Sequence, residues 1–168
     1  MSRTKQVVLT LITTVALLFL ADVYPALRFR GDAKFSGGPV FGYEIKMRPI
    51  PFYRPGEYVF HFRGLPEEEM SLQLYAQGKT DKNREELTHL GTTISALLVD
   101  QNSRVVCEGS AMPGDGQNER IWVVRNCVNM PLKPSSTYTL TLRITKIDPN
   151  TPKIDLLPVL EGGQLELS

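Results

Sequence analysis

Strict alternation of apolar and polar side chains is the feature that most constrains how this chain can fold. The clearest example spans residues 137–146, where an apolar side chain recurs at every second position. The alternating apolar residues are Tyr138, Leu140, Leu142 and Ile144. This period of two is that of a β-strand with one face on a core and one face in solvent, and it does not match the 3.6-residue period of a helix. The segment therefore predicts a strand that lines a hydrophobic core.

The same alternation recurs along much of the chain, interrupted by turn-forming residues. Residues 41–47 and 57–63 alternate on either side of a proline-rich corner formed by Pro49, Pro51 and Pro55. Strand composition also marks residues 72–74, 92–100, 104–108, 121–124, 156–160 and 165–167. Short strands separated by turns are typical of all-β domains, and we expect a two-sheet antiparallel β-sandwich of the immunoglobulin-like or jelly-roll type.

A short motif precedes the clearest strand. Leu132, Pro134 and Tyr138 have the spacing Leu-x-Pro-x-x-x-Tyr, which resembles the tyrosine corner of fibronectin type III and other immunoglobulin-like sandwiches. The resemblance implies a hydrogen bond between the tyrosine hydroxyl and the backbone a few residues upstream. The motif concerns the fold alone, because sandwiches of this kind have many functions.

The N-terminus carries a membrane-directed signal. Arg3 and Lys5 precede an uncharged apolar run over residues 7–21, which is shorter than the roughly 20 residues that span a bilayer core. That length favours a cleaved signal peptide. Cleavage requires small residues at both the −3 and −1 positions, and neither Ala21 nor Ala26 has a small residue two positions before it. We therefore expect the run to be retained as a signal anchor, with a cleaved signal peptide as the alternative.

These features predict three parts. Residues 1–27 would be the signal anchor or signal peptide, residues 28–39 a glycine-containing linker, and residues 40–168 the sandwich domain. The linker would hold the domain off the membrane. We expect a single-pass membrane protein whose C-terminal domain is extracytoplasmic, on the periplasmic side of a bacterial inner membrane, or a secreted domain if the run is cleaved.

The two cysteines support export. Cys107 and Cys127 are the only cysteines, and an even number in an exported domain is most simply one disulfide, with two buried thiols as the alternative. Closing a loop of this length would stabilise the fold by about 3 kcal/mol. A metal site is not expected, because only two histidines, His61 and His89, accompany these cysteines.

Charge and motifs argue against several classes of function. The formal net charge of +1 gives no attraction to nucleic acid. No Gly-x-Ser-x-Gly motif is present, His61 is predicted on the outer face of a strand, and no cofactor motif stands out, so we expect neither an enzyme nor a cofactor. A hydrolase would have to rely on the carboxylates of Glu67, Glu68 or Asp115.

The sequence thus predicts a non-catalytic envelope protein that contacts another protein through a sheet face or edge. The alternative is a carbohydrate-binding module acting on envelope glycans, with Trp122 and Tyr75 as an aromatic platform. That platform requires an outward-facing Trp122, whereas the continuous apolar run of residues 121–124 is equally compatible with its burial.

Overall fold

A computed structural model describes residues 6–8, 10, 12–14, 25–38, 42–78, 80, 86–87, 89–113 and 122–163. Over this part of the chain the fold is all-β, as predicted, with twelve strands joined by antiparallel pairing. The strands are β1 (Arg30–Gly31), β2 (Ala33–Gly38), β3 (Gly42–Met47), β4 (Ile50–Pro51), β5 (Gly56–Arg63), β6 (Glu69–Gln77), β7 (Thr93–Asp100), β8 (Val105–Pro113), β9 (Trp122–Val124), β10 (Met130–Pro131), β11 (Thr137–Lys146) and β12 (Asp155–Gly162).

The strands form one continuous sheet. Their spatial order is β1-β5-β11-β7-β8-β9-β6-β12-β3-β2, with β10 beside β6 and β4 beside β12. Because β1 and β2 follow each other in the chain but lie at opposite ends of this order, the sheet curls round until it is nearly closed as a barrel. The predicted division into two sheets is therefore not confirmed.

The core is built from the alternating residues. On β11, Leu140 and Leu142 are fully buried, and the strand pairs along its length with β5 on one side and β7 on the other. Phe60 and Phe62 of β5 and Leu98 of β7 are buried on the same side of the sheet. Burying each of these large side chains stabilises the fold by roughly 1.5–3 kcal/mol, so the strand with the clearest alternation lies at the centre of the core.

The tyrosine corner forms as its resemblance implies. Tyr138 is buried, and the backbone N–H of Lys133 donates a hydrogen bond to the Tyr138 hydroxyl oxygen at 2.7 Å. Leu132 is also buried. This bond fixes the entry of the chain into β11.

Residues 30–38, predicted as part of a linker, instead form β1 and β2. The reason is a short alternation of apolar and polar residues next to glycines and charged residues. In it, Ala33 and Phe35 are half-buried and their neighbours are exposed. The Phe35 ring lies 5.5 Å from the ring of the buried Phe29 and 5.7 Å from that of Tyr43. The sheet therefore begins almost directly after the N-terminal region.

The described part of that region is helical. Residues 6–8, 10 and 12–14 are helical, and residues 25–28 form one further turn, closed by a hydrogen bond from the Phe29 N–H to the Pro25 carbonyl. Within the described residues, no helix combines the length and the apolar character needed to cross a bilayer. Much of the predicted signal anchor, including residues 15–24, lies outside the described residues, so the anchor stays a prediction.

Candidate functional site

The two ends of the sheet meet at the N-terminal strands. β1 pairs with β5 at only two positions, Arg30 with Arg63 and Gly31 with Phe62, and β2 pairs with β3 along its whole length. Between β5 and β2, no pairing of strands in the described ranges closes the sheet. We call the two unpaired outer edges that end the sheet, residues 56–61 of β5 and 33–38 of β2, the seam.

Asp32 marks the point at which the chain leaves β5 and enters β2. Its backbone N–H donates to the carbonyl of His61, and its carboxylate accepts a hydrogen bond from the His61 N–H, each at 2.9 Å. Asp32 thereby continues the pairing of β1 by one residue and turns the chain away from β5. A glycine is required next to it, because a Cβ on Gly31, which has φ of 150°, would lie 2.2 Å from the His61 carbonyl oxygen.

Beyond Asp32, the edge of β5 pairs with no strand in the part of the chain that the structure describes, and we call it the open edge. His61 directs its backbone N–H and carbonyl away from β11, and backbone groups in an antiparallel strand alternate in direction. Glu57 and Val59 therefore direct their N–H and carbonyl groups to the same outer side. No strand within the described residues pairs with β5 at these positions. Such a row of backbone donors and acceptors is a template on which another chain can pair.

The surroundings of the open edge combine apolar and charged groups. Phe60 is fully buried beneath the edge, and the Arg48 guanidinium lies 5.5 Å from the centre of its ring. Tyr58 is half-buried, and this burial raises its pKa above 10.0, against the opposing effect of the Arg54 charge. On the outer face, Glu57 pairs with Arg143 of β11 at 2.6 Å. Buried apolar side chains thus lie beneath the edge, and charged side chains lie beside it.

A second feature, on strands in the middle of the sheet order, is the disulfide corner. We use this name for Cys107 on β8, the turn of residues 125–129, and the strands they join. The predicted disulfide between Cys107 and Cys127 is present, with 5.3 Å between the two Cα atoms. The Cys127 carbonyl accepts from the Leu72 N–H of β6 at 2.8 Å, and the Arg125 N–H donates to the Ser110 carbonyl of β8 at 3.1 Å. The corner therefore fastens β8 to β6.

Trp122 and Tyr75 do not form an aromatic platform. Trp122 is only 5% exposed, and its ring centre lies 4.9 Å from that of Phe52 inside the core. Tyr75 follows the fully buried Leu74, the residue that pairs with Trp122, so its side chain lies on the opposite face of β6. There the Tyr75 hydroxyl lies 2.5 Å from Glu161 Oε1. The sequence could not place Trp122, because a continuous apolar run does not distinguish the two faces of a strand.

The residues on which a hydrolase would have to rely, and His61, show no shared site within the described residues. Glu67 and Glu68 are exposed in the bend before β6, and Asp115 lies outside the described residues. His61 is exposed, with Nδ1 3.2 Å from the Thr139 hydroxyl oxygen. In the parts of the chain that the structure describes, no three His, Cys, Asp or Glu side chains are grouped as a metal site would require.

Sequence reasoning missed the seam itself. A local signal was present, since Gly31 and Asp32 are turn-forming residues between two short alternating segments. A scan against models of protein families finds no match for the chain, and a search of curated proteins finds no relative. The function must therefore be inferred from the geometry of the chain itself.

Proposed function

We propose that this chain is a non-catalytic protein of the cell envelope, in which an N-terminal signal anchor holds an extracytoplasmic β-domain that binds another protein. The observation that carries the proposal is the open edge of β5, whose backbone groups at Glu57 and Val59 face outward without a neighbouring strand in the described part of the chain. Proteins commonly protect such edges, and an unprotected one is a frequent docking site for an extended peptide.

The mode of binding follows from the chemistry of the edge. An extended segment of the partner would lie beside β5 and exchange main-chain hydrogen bonds with Glu57 and Val59. Side chains of the partner would then alternate between the half-buried Tyr58 and the charged outer face, where Glu57 and Arg143 form an ion pair. Main-chain bonds would provide affinity, and the flanking groups would provide specificity.

Two features support the location. The apolar run of residues 7–21 follows two basic residues, as in signal anchors, and the Cys107–Cys127 disulfide is of a kind that persists in oxidising compartments. The proposed location is the periplasmic side of a bacterial inner membrane, with secretion as the consequence if the run is cleaved.

We also propose that the continuous sheet packs as the two halves of a sandwich. The support comes from β8, whose residues 105–110 pair with β7 and whose residues 111–113 pair with β9. Strands that pass from one sheet to the other in this way form the corners of packed sheets. The topology would be immunoglobulin-like or jelly roll.

In vivo photo-crosslinking tests the proposed interaction. A photoreactive residue at position 48, where the exposed Arg48 lies 5.5 Å from the ring centre of Phe60 on β5, should give a discrete adduct with a partner in cells that make the full chain. The same residue at Lys153, exposed in the loop between β11 and β12, should give none. Equal adducts at both positions would contradict binding at the seam.

A proline variant tests whether the edge itself pairs with the partner. Val59→Pro removes an outward-facing N–H and leaves the hydrogen bonds to β11 in place, so the adduct at position 48 should disappear. Val59→Ala, which keeps the N–H, should retain it. Both variants must show the same thermal unfolding temperature, and an adduct that persists in Val59→Pro would overturn the proposed mode.

A further inference from the structure

A basic cleft lies where the N-terminal helical turn meets the sheet. Its volume is about 380 Å³, and its lining includes Arg28, Arg30 and Arg63 together with Leu27 and Ser135. Among the described residues that line it, none is acidic. Three arginines therefore line one opening, in a chain whose net charge is only +1.

The fold brings these arginines together at a cost. Arg30 and Arg63 are directly opposite each other in the pairing of β1 with β5, and like charges at such positions are destabilising. Arg28 is held beside them because the backbone passes close to Gly64, where a Cβ would lie 2.2 Å from the Arg28 carbonyl oxygen. An anion bound in the cleft would relieve the repulsion.

The nearest acid in the sequence does not line the cleft. Asp32 directs its carboxylate to the backbone N–H of His61. Within the described residues, no carboxylate forms an ion pair with Arg30 or Arg63. The Arg30 guanidinium donates instead to the carbonyls of Leu27 and Phe29. These bonds hold its positive charge at the C-terminal end of the helical turn of residues 25–28.

The rim of the cleft favours a lipid surface over a dissolved anion. Leu27 is 64% exposed, and it lies between the apolar run and the arginines. An exposed leucine next to arginines is the combination that lies at a membrane surface, with the apolar side chain among the lipids and the cations at the phosphates. Since β1 begins at Arg30, only a few residues separate the cleft from the end of the run.

We propose that this arginine cleft binds the phosphate groups of anionic lipid headgroups and docks the β-domain against the bilayer. Guanidinium groups suit this ligand because their planar N–H groups bind phosphate oxygens in pairs. The inference rests on the signal anchor of the proposed function and adds an orientation to it. With the cleft at the membrane, the Arg63 end of β5 lies next to the lipids, and the open edge leads away from them.

Energy transfer from labelled lipid headgroups tests the inference on the full chain in vesicles. A fluorophore on Asn102→Cys reports the distance of the cleft end of the sheet from the lipids. Position 102 lies near the cleft because its neighbour Gln101 accepts a hydrogen bond from the Thr137 N–H. Thr137 is in turn the residue paired with Arg63. A fluorophore on Lys153→Cys reports the other end of β11, about 30 Å away for ten residues.

We expect stronger transfer to position 102 in vesicles containing phosphatidylglycerol than in pure phosphatidylcholine. Arg63→Gln should lower the ratio of docked to undocked domain about fivefold, and Arg63→Lys should restore part of it. In the position 102 reporter, the matched control Lys153→Gln should leave the ratio unchanged.

Other outcomes separate the inference from the proposed function. A chain that enters vesicles, but whose transfer does not depend on phosphatidylglycerol or Arg63, keeps its anchor and overturns lipid docking. Binding of inorganic phosphate to the detergent-solubilised chain, lost in Arg63→Gln and without any lipid dependence of transfer, would make the cleft a site for a soluble anion and also overturn docking. A chain that does not associate with vesicles would overturn the anchor and, with it, this inference.

Discussion

The disulfide corner and the seam differ in how tightly the chain is fastened. At the corner, a covalent bond and hydrogen bonds to both β6 and β8 hold a five-residue turn, in which Asn126 and Asn129 adopt positive φ. At the seam, β1 contributes two paired residues, and Asp32 adds two hydrogen bonds before the chain leaves β5. This difference supports the proposal that the seam binds a partner, because binding surfaces are commonly drawn from the less strongly held parts of a fold.

The largest expected effect comes from comparing a core residue next to the disulfide corner with one in the seam. Leu98 is fully buried and pairs with Cys107, whereas Phe35 is half-buried on the edge strand β2. Leu98→Ala should lower the free energy of unfolding by about 4 kcal/mol, measured by denaturant titration, and Phe35→Ala should cost less than half as much. Equal costs would mean that the seam belongs to the same tightly packed core as the corner.

Removing the disulfide tests the covalent part of the corner. The double variant Cys107→Ser and Cys127→Ser should lose about 3 kcal/mol of stability, because the unfolded chain regains the freedom of the closed loop. Reduction of the native chain should shift the denaturation midpoint in the same direction. The adduct at position 48 should survive in conditions where the variant stays folded. A chain equally stable without the bond would remove the main contrast between the two regions.

Tyr138 tests the strand that lies between the two regions, since β11 pairs with both β5 and β7. Tyr138→Phe removes the acceptor of the Lys133 N–H and should cost about 1 kcal/mol in thermal or chemical unfolding. Tyr58→Phe, at the half-buried edge, is the matched control with the same change of atoms. A larger cost for Tyr58→Phe would show that the seam depends more on polar contacts than the tyrosine corner does.

The smallest expected effect concerns the stability of the fold at low pH, near the start of β7. The Asp148 carboxylate accepts hydrogen bonds from the backbone N–H groups of Asn150 and Gly91, and these bonds lower its pKa below 3.8. The stabilisation is complete above pH 3.8 and is lost as the pH falls through the lowered pKa of the folded state. Asp148→Asn should therefore flatten the fall in stability at the acid end of a pH series of denaturation midpoints. An unchanged slope would contradict a role for this carboxylate.

Local patterns predicted the strands whose two faces differ in polarity. The period of two in β11 and β5 identified their buried faces, two cysteines were enough to predict the bond at the corner, and the spacing from Leu132 to Tyr138 predicted a backbone hydrogen bond. In each case the physical information lies within a few residues of the chain or in a pair of reactive side chains.

The seam could not be predicted in the same way. β2 contains two glycines and only two half-buried apolar residues, so its pattern is as typical of a linker as of an edge strand. The exposure of β5 depends on which strand becomes its neighbour, and that is set by pairings between residues far apart in the chain. Trp122 was ambiguous for a related reason, because its face depends on the register of β9 against β6.

Amide hydrogen exchange along β5, measured residue by residue on the full chain in micelles, tests the central claim most directly. The account predicts alternation, with rapid exchange at Glu57 and Val59, whose N–H groups face the open edge, and slow exchange at Tyr58 and Phe60, whose N–H groups are bonded to β11. Slow exchange at Val59, equal to that at Phe60, would mean that another segment already covers the edge, and it would contradict the proposed docking site.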